Sequence, residues 1–480
     1  MKTLTRRGFV AGVGLAAAQT WMLGQSREVR AQAPDEASPP RDRRPNIVVF
    51  LADDLGYGDL GCHGSIDLRT PRIDALAAQG TRFLNAYSAA PVCGPSRAGL
   101  LSGQHPCRYG FEFNGVNELP TDLPLLPQVL RDAGYVTGIV GKWHLGEDAQ
   151  RHPMRRGFDE FYGFLGGQHP YTATSPDRPL SQMRGFETTR EDRYLTDAYA
   201  QESCDFVRRH RQRPFFLFVS FNAVHYPLQA PEQYLQRNTH IPTGAGRRAG
   251  RRRTYAAMVT AMDDAVGTVL DELDRAGLRD DTLVVFLSDN GGPTPEITAS
   301  NAPLRGFKKD LWEGGVRVPM LARFPGKIAA GSDSTSVVSA LDLLPTFAAA
   351  AGAALPATMS LDGLDLLAPS NGEDDRNSSR ALCWRFGKQW AVRRGTWKLL
   401  RFQDEPWRLY DLANGPSELI DQARREPEQV AELAAIFTAW EARLQPPRWS
   451  REPAPLAQSR PWPAPSPGEA GNHDPNPTEP

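Results

Sequence analysis

The 480-residue sequence is poor in cysteine: Cys62, Cys93, Cys107, Cys204 and Cys383 fall at irregular spacing. That excludes a disulfide-stapled scaffold, and the odd number leaves at least one thiol unpaired or chemically altered. No internal apolar run reaches the ~18 residues of a membrane span, so no stable membrane insertion is expected. Neither sign of charge is in excess, with 55 Lys and Arg against 56 Asp and Glu and a formal net charge of -1. Nothing therefore directs the chain to nucleic acid or to anionic lipid. No His/Cys set has zinc-like spacing, and the sequence has no internal repeat. What is there is an ordinary globular composition, 40% hydrophobic. The length suits one large domain with an appendage, or two or three domains.

The two ends read as something other than fold. Thr5-Arg6-Arg7-Gly8-Phe9-Val10, followed by a weakly apolar stretch to about Gly24, resembles a twin-arginine export signal. Ala31-Gln32-Ala33 resembles a cleavage site; Pro34 would hinder cleavage after Ala33, and cleavage after Ala31 is the alternative. Segment 1–33 is assigned to a signal, and the Pro- and charge-rich segment 34–44 to a linker. The expected location is exported, periplasmic or extracellular, and this route carries folded protein. Residues 446–480, rich in Pro, Gly, Ser and Asn, read as a disordered tail.

Between the ends, apolar runs stop abruptly at polar residues. Run 46–52 ends in Asp53 and Asp54, run 136–140 in Gly141 and Lys142, and run 283–288 in Asp289 and Asn290, while His225 follows run 215–221. Continuous β-branched runs of this kind read as buried parallel strands. A helix is expected to open with Thr70 as cap and Pro71 in the first turn, and 255–276 has helical period. Alternating strands and helices predict an α/β fold, a large mostly parallel sheet flanked by helices over 45–375. Ligands bind beyond the carboxyl ends of such strands, where Asp53, Asp54, Lys142, His144, His225, Asp289 and Asn290 all stand. From about Asp375 the texture changes. Short strands are expected at 381–386, 389–393, 397–402 and 407–412, then an amphipathic helix at 426–444 with Val430, Leu433, Phe437, Trp440 and Leu444 on one side. Residues 376–445 are read as a smaller C-terminal α+β subdomain containing an antiparallel sheet.

Asp53, Asp54, Asp289 and Asn290 offer four oxygen donors at two strand ends, the donor set of a hard cation such as Ca2+ or Mg2+. Either aspartate alone would serve as a cap, and Asp289-Asn290-Gly291 alone as a turn. Cys93 stands beside Arg97 where a helix opens, a setting expected to lower a thiol pKa and make a nucleophile. A buried structural cysteine is the bland alternative. Arg247, Arg248, Arg251, Arg252 and Arg253 form a basic run read as a solvated loop before a helix.

Cys93, Pro95, Ser96 and Arg97 resemble the Cys-x-Pro-Ser-Arg pattern of the formylglycine-dependent, arylsulfatase-like sulfatase family of the alkaline phosphatase superfamily. Further segments are similar to that family. They are Gly134-Tyr135 through Thr137 to Gly141-Lys142 and His144; His225 with Pro227; Arg305-Gly306 with Lys308 and Glu313-Gly314-Gly315; and Leu409-Tyr410-Asp411-Leu412 with Glu418. The resemblance spans about 45–445, and Lys309 is a weaker rival for the part assigned to Lys308. It implies that a formylglycine-generating enzyme oxidises Cys93 to formylglycine (3-oxoalanine), an aldehyde that works as its hydrate. It implies that Asp53, Asp54, Asp289 and Asn290 hold a divalent cation together with residue 93, usually Ca2+, with Mg2+ the alternative. It further implies that one hydroxyl of the hydrate attacks sulfur with help from Asp289. Arg97, Lys142 and Lys308 neutralise the sulfate, and His225 with Lys308 protonates the departing alcohol. His144 takes a proton from the second hydroxyl as sulfate leaves. The implied substrate is an aryl sulfate or a sulfated carbohydrate. The aromatic and Arg-containing stretches 158–171 and 178–193 favour the carbohydrate, with Gln168, His169 and Trp312 as candidate pocket residues. The rival readings are a phosphatase or phosphonate monoester hydrolase of the same superfamily, and a non-catalytic secreted glycan-binding relative.

Overall fold

Residues 46–52 show why the apolar runs are continuous. All seven are buried, and their side chains alternate between two cores. Val48, Phe50 and Ala52 enter one, and Ile47, Val49 and Leu51 the other. A strand covered on both faces has no polar side to present. This computed structural model describes residues 44–114, 119–173, 180–243, 250–368 and 380–446. The signal 1–33, the linker apart from Arg44, Arg178, Arg247, Arg248 and the tail beyond residue 446 lie outside the described residues.

Ten strands make one sheet: β1 (Asn46–Ala52), β2 (Thr81–Tyr87), β3 (Val136–Lys142), β4 (Glu160–Phe164), β5 (Leu180–Arg184), β6 (Glu187–Glu191), β7 (Phe215–Ser220), β8 (Thr282–Ser288), β9 (Met320–Arg323) and β10 (Ser332–Ser339). Their order is β10-β2-β9-β8-β1-β7-β3-β4-β5-β6. The centre, β8-β1-β7-β3-β4, is parallel throughout. Antiparallel pairs join β9 to its neighbours and β5 to β4 and β6. Helices Pro71–Ala78, Leu195–His210 and Arg251–Arg275 pack on one face. Helices Cys93–Ser102, Leu126–Asp132 and Leu343–Ala351 pack on the other. Among the described residues, no helix is long and apolar enough to cross a membrane, and all five cysteines are free thiols.

The helix at Pro71 opens where expected, but Thr70 does not cap it through its side chain. The Thr70 hydroxyl accepts from Gly61 N at 2.8 Å and donates to Asp74 at 3.0 Å. The cap comes instead from Asp263, on the long helix packed alongside. Its carboxylate accepts from Arg72 N at 3.1 Å and Ile73 N at 2.8 Å. A cap supplied from another helix leaves no local signal in the sequence.

Four more strands, β11 (Ala381–Phe386), β12 (Gln389–Arg394), β13 (Trp397–Phe402) and β14 (Arg408–Asp411), form an antiparallel sheet in sequence order. One face sends Trp384, Phe386, Ala391, Leu400 and Tyr410 against Tyr87, Val92 and Trp312. The other sends Cys383, Val392, Leu399 and Leu409 against Leu433, Phe437 and Trp440 of helix Pro427–Glu441.

Candidate active site

The strand register brings the polar run-ends level. Ala52 pairs with Ser288, Leu51 with Ser220, and Ser220 with Gly141. The next residues along β1 and β8, Asp53 and Asp289, therefore leave the sheet side by side. Asp54, with φ of 66°, is in the left-handed region, and its N–H lies 3.2 Å from Asp289 Oδ1. A non-glycine residue held there stores strain, and such strain gathers at functional sites. Helix Cys93–Ser102 comes in from β2 and ends at Gly103, whose φ of 63° closes it through Gly103 N to Gly99 O at 2.8 Å.

The side chains then interlock. Lys142 Nζ lies 2.6 Å from Asp53 Oδ2. Arg97 Nε donates to Asp289 Oδ2 at 2.9 Å and its Nη1 to Ser220 Oγ at 2.6 Å. Lys308 Nζ reaches both Asp54 oxygens, at 2.6 and 2.8 Å, and the Cys93 sulfur at 3.1 Å. The Cys93 sulfur is 3.3 Å from Asp53 Oδ1. His225 Nε2 stands 3.6 Å from Asp54 Oδ2. Asn290 Nδ2 donates to Asp54 Oδ1 at 2.7 Å, while its buried Oδ1 has no hydrogen-bond partner among the described residues. Asp53, Asp54, Asp289 and Cys93 each offer a ligand atom within 4.8 Å of the others. Three buried carboxylates and an orphaned amide oxygen form an all-oxygen donor set that fits a hard divalent cation.

Electrostatics follows from this crowding. Burial raises Asp53, but Lys142, His225, Arg97 and Lys308 outweigh it and hold the carboxyl far below its usual range. Burial, with the neighbouring Asp53 charge, pushes Asp289 up. Burial lowers Lys308, yet Asp54, Cys93 and Asp53 win and raise it. Burial, then Lys142 and Arg97, drive His144 well below the usual imidazole value, so its ring is neutral. Its Nδ1 is buried without a partner among the described residues, and a Cβ at Gly167 would collide with its Nε2.

The expected lowering of the Cys93 pKa is reversed. Burial and the Asp53 carboxylate raise the thiol well above its ordinary value, against Lys142 and Lys308. Arg97 turns its Nε and Nη1 to Asp289 and Ser220. As a plain thiol, Cys93 is not a poised thiolate nucleophile.

The family model described as Sulfatase matches residues 45–353.

The chain belongs to the sulfatase family.

A second model, N-sulphoglucosamine sulphohydrolase, C-terminal, matches residues 306–439. Human N-acetylgalactosamine-6-sulfatase is 38% identical over 351 residues, covering 67% of this chain and 65% of that protein. The match thus spans just under two thirds of that relative's length. Rat steryl-sulfatase is 34% identical over 413 residues, covering 67% of this chain and 70% of that protein. A solved structure of Ps i-CgsB with k-i-k-neocarrahexaose superposes with a TM-score of 0.79 at 36% identity, covering 85% of this chain and 94% of that one.

Within this family member the two lysine rivals separate. Lys308 is inside the cluster, whereas Lys309 points outward to Glu296 at 3.6 Å. Of the three proposed pocket residues, Gln168 lines the cavity that opens on His225 and Lys308, about 590 Å³ in volume. His169 turns its ring to the carbonyls of Pro170 and Ser181. Trp312 is not a pocket residue: it is 2% exposed, with Arg305 stacked on its ring at 3.6 Å. An aromatic side chain that packs against the C-terminal sheet has no free face for a sugar. A larger cavity, about 770 Å³, lies between Val129, Asp132 and 349–354 and holds none of these groups. Two contributors were missed. Ser220 orients Arg97 and donates to Lys142 O at 2.7 Å, and a polar residue closing an apolar strand was its signal. Asn114 accepts from Gly94 N at 2.9 Å and had none.

Proposed function

We propose that this protein hydrolyses sulfate monoesters, with sulfated carbohydrates as the substrate class. One observation carries the reading: Asp53, Asp54, Asp289 and the orphaned Asn290 oxygen surround Cys93, ringed by Lys142, Lys308 and Arg97. A sulfate ester brings negative oxygens, and preorganised cations in a dry site stabilise the charge that shifts onto them.

Asp53, Asp54, Asp289 and Asn290 would hold a divalent cation, Ca2+ before Mg2+, which when bound would supply positive charge for the sulfate oxygens. A formylglycine-generating enzyme would oxidise Cys93 to an aldehyde, and water added to that aldehyde would give the hydrate whose hydroxyl is the nucleophile that a buried, raised thiol is not. Lys142 and Lys308 bind the sulfate oxygens, and Arg97 fixes Asp289. Asp289, fixed by Arg97 beside residue 93, accepts a proton as attack begins. His225, at the cavity mouth beside Lys308, donates one to the departing alcohol. His144, neutral and buried at Nδ1, takes up the proton released when sulfate leaves.

The carbohydrate class is supported by the likeness to N-acetylgalactosamine-6-sulfatase and to Ps i-CgsB with its bound neocarrahexaose, and by a cavity of sugar size above His225. Export by the twin-arginine signal of residues 1–33 rests on Arg6 and Arg7. The test sets rates on an aryl sulfate beside rates on the matching aryl phosphate, then on a panel of sulfated mono- and oligosaccharides. Preference for sulfate, with turnover of at least one saccharide, is expected. Faster phosphate turnover would move the protein to a phosphatase reading.

A further inference from the structure

The basic run before the long helix splits into committed and uncommitted arginines. Arg252 is held by Asp67 at 2.7 and 2.8 Å and by Asp59 at 3.0 Å. Arg253 donates to the carbonyls of Ile241 and Thr239. Arg251 is different. It is half-buried, makes no side-chain hydrogen bond or ion pair among the described residues, and lines the 590 Å³ cavity with His225 and Lys308.

The other His, Lys and Glu side chains lining that cavity have partners, His225 facing Asp54 at 3.6 Å. Lys308 is bound to Asp54 and Cys93. Lys309 and Glu296 face each other across 3.6 Å and cancel to first order. Arg251 is therefore the unbalanced charge of the cavity wall, on a different element from the residues that meet the sulfate. A guanidinium half-removed from water without a partner is a ready site for a carboxylate or sulfate, which it takes through two parallel hydrogen bonds.

We propose that Arg251 anchors a second anionic group of the substrate, so that this site favours saccharides carrying another sulfate or a carboxylate beside the ester that is cleaved. The inference rests on the sulfatase reading for which end of the ligand enters the Cys93 cluster. Its test is binding, not turnover. Calorimetry with glucosamine 6-O-sulfate and with glucosamine 2-N,6-O-disulfate is carried out on full-length Cys93→Ala protein and on Cys93→Ala/Arg251→Gln. The disulfate is expected to bind about tenfold or more tightly than the monosulfate to the first protein, the effect of one charge-assisted hydrogen bond. That ratio is expected to collapse towards one in the second protein and to return in part with Arg251→Lys. Equal affinity for the two sugars in the first protein, or an unchanged ratio after Arg251→Gln, overturns the assignment. A preference that depends on Arg251 in a protein that hydrolyses no sulfate ester would keep the subsite and remove the catalytic reading.

Discussion

Replacing Lys398 with methionine removes the cation that ties the C-terminal sheet to the segment following Lys308. Lys398 Nζ lies 2.8 Å from Glu313 and 3.0 Å from Glu418, with all three side chains fully buried. Glu313 Oε2 also accepts from Tyr87 at 2.7 Å, and Glu313 N donates to Glu418 Oε2 at 2.7 Å. Removing Lys398 leaves Glu313 with Arg317 at 3.3 Å but strips an ionised Glu418 of its cation, and an uncompensated buried charge costs about 3–5 kcal/mol. The cost depends on pH. Burial pushes Glu418 up to about 7, with Lys398 opposing and Glu313 assisting. The folded protein therefore binds this proton more tightly than the unfolded chain, whose carboxyl titrates at 4.5. The contribution of Glu418 to stability falls as pH rises from 4.5 towards about 7 and levels above it. Without Lys398 the Glu418 carboxyl rises further, so the decline continues into alkaline pH. Urea unfolding of Lys398→Met is expected to show a loss of about 3 kcal/mol near pH 8, where Glu418 is ionised, and a smaller one near pH 6. Adding Glu418→Gln should remove the difference between the two pH values. Losses that are equal at both, or below about 1 kcal/mol, would refute this reasoning.

Three further outcomes are expected. Asp263→Ala strips the cap from helix Pro71–Ala78 and should cost about 1–2 kcal/mol in urea unfolding. Burial, against its backbone hydrogen bonds, pushes Asp263 up to about 7, so Asp263→Asn should abolish a loss of stability between 3.8 and 7 that the wild type shows as pH rises. Lys308→Met should lower kcat/KM on an aryl sulfate by about 10²–10³, whereas Lys309→Met should cost far less, since only Lys308 reaches Asp54 and Cys93.

The strand ends were legible because the physics is local. An apolar run buried on two faces has to stop where a charge begins, and Asp53, Lys142 and Asp289 each mark such a stop. Their meeting follows from parallel register. The Cys93 pKa was misread because the approach of Asp53 and Asp289 is set by tertiary structure, and their charge with burial outweighs the nearby cations. The same holds for Thr70, displaced by a cap from Asp263, and for Trp312, whose aromatic face was taken up by the C-terminal sheet. In the basic run, spacing treated Arg251 like its neighbours, and only the partners of Arg252 and Arg253 set it apart.

The most direct measurement compares wild-type and Cys93→Ala protein on a chromogenic aryl sulfate, with mass analysis of the wild-type peptide containing residue 93. Turnover confined to the wild type, with an aldehyde where the thiol would be, is the predicted result. Undiminished turnover by Cys93→Ala, or an active wild type whose residue 93 is still a thiol, would contradict it.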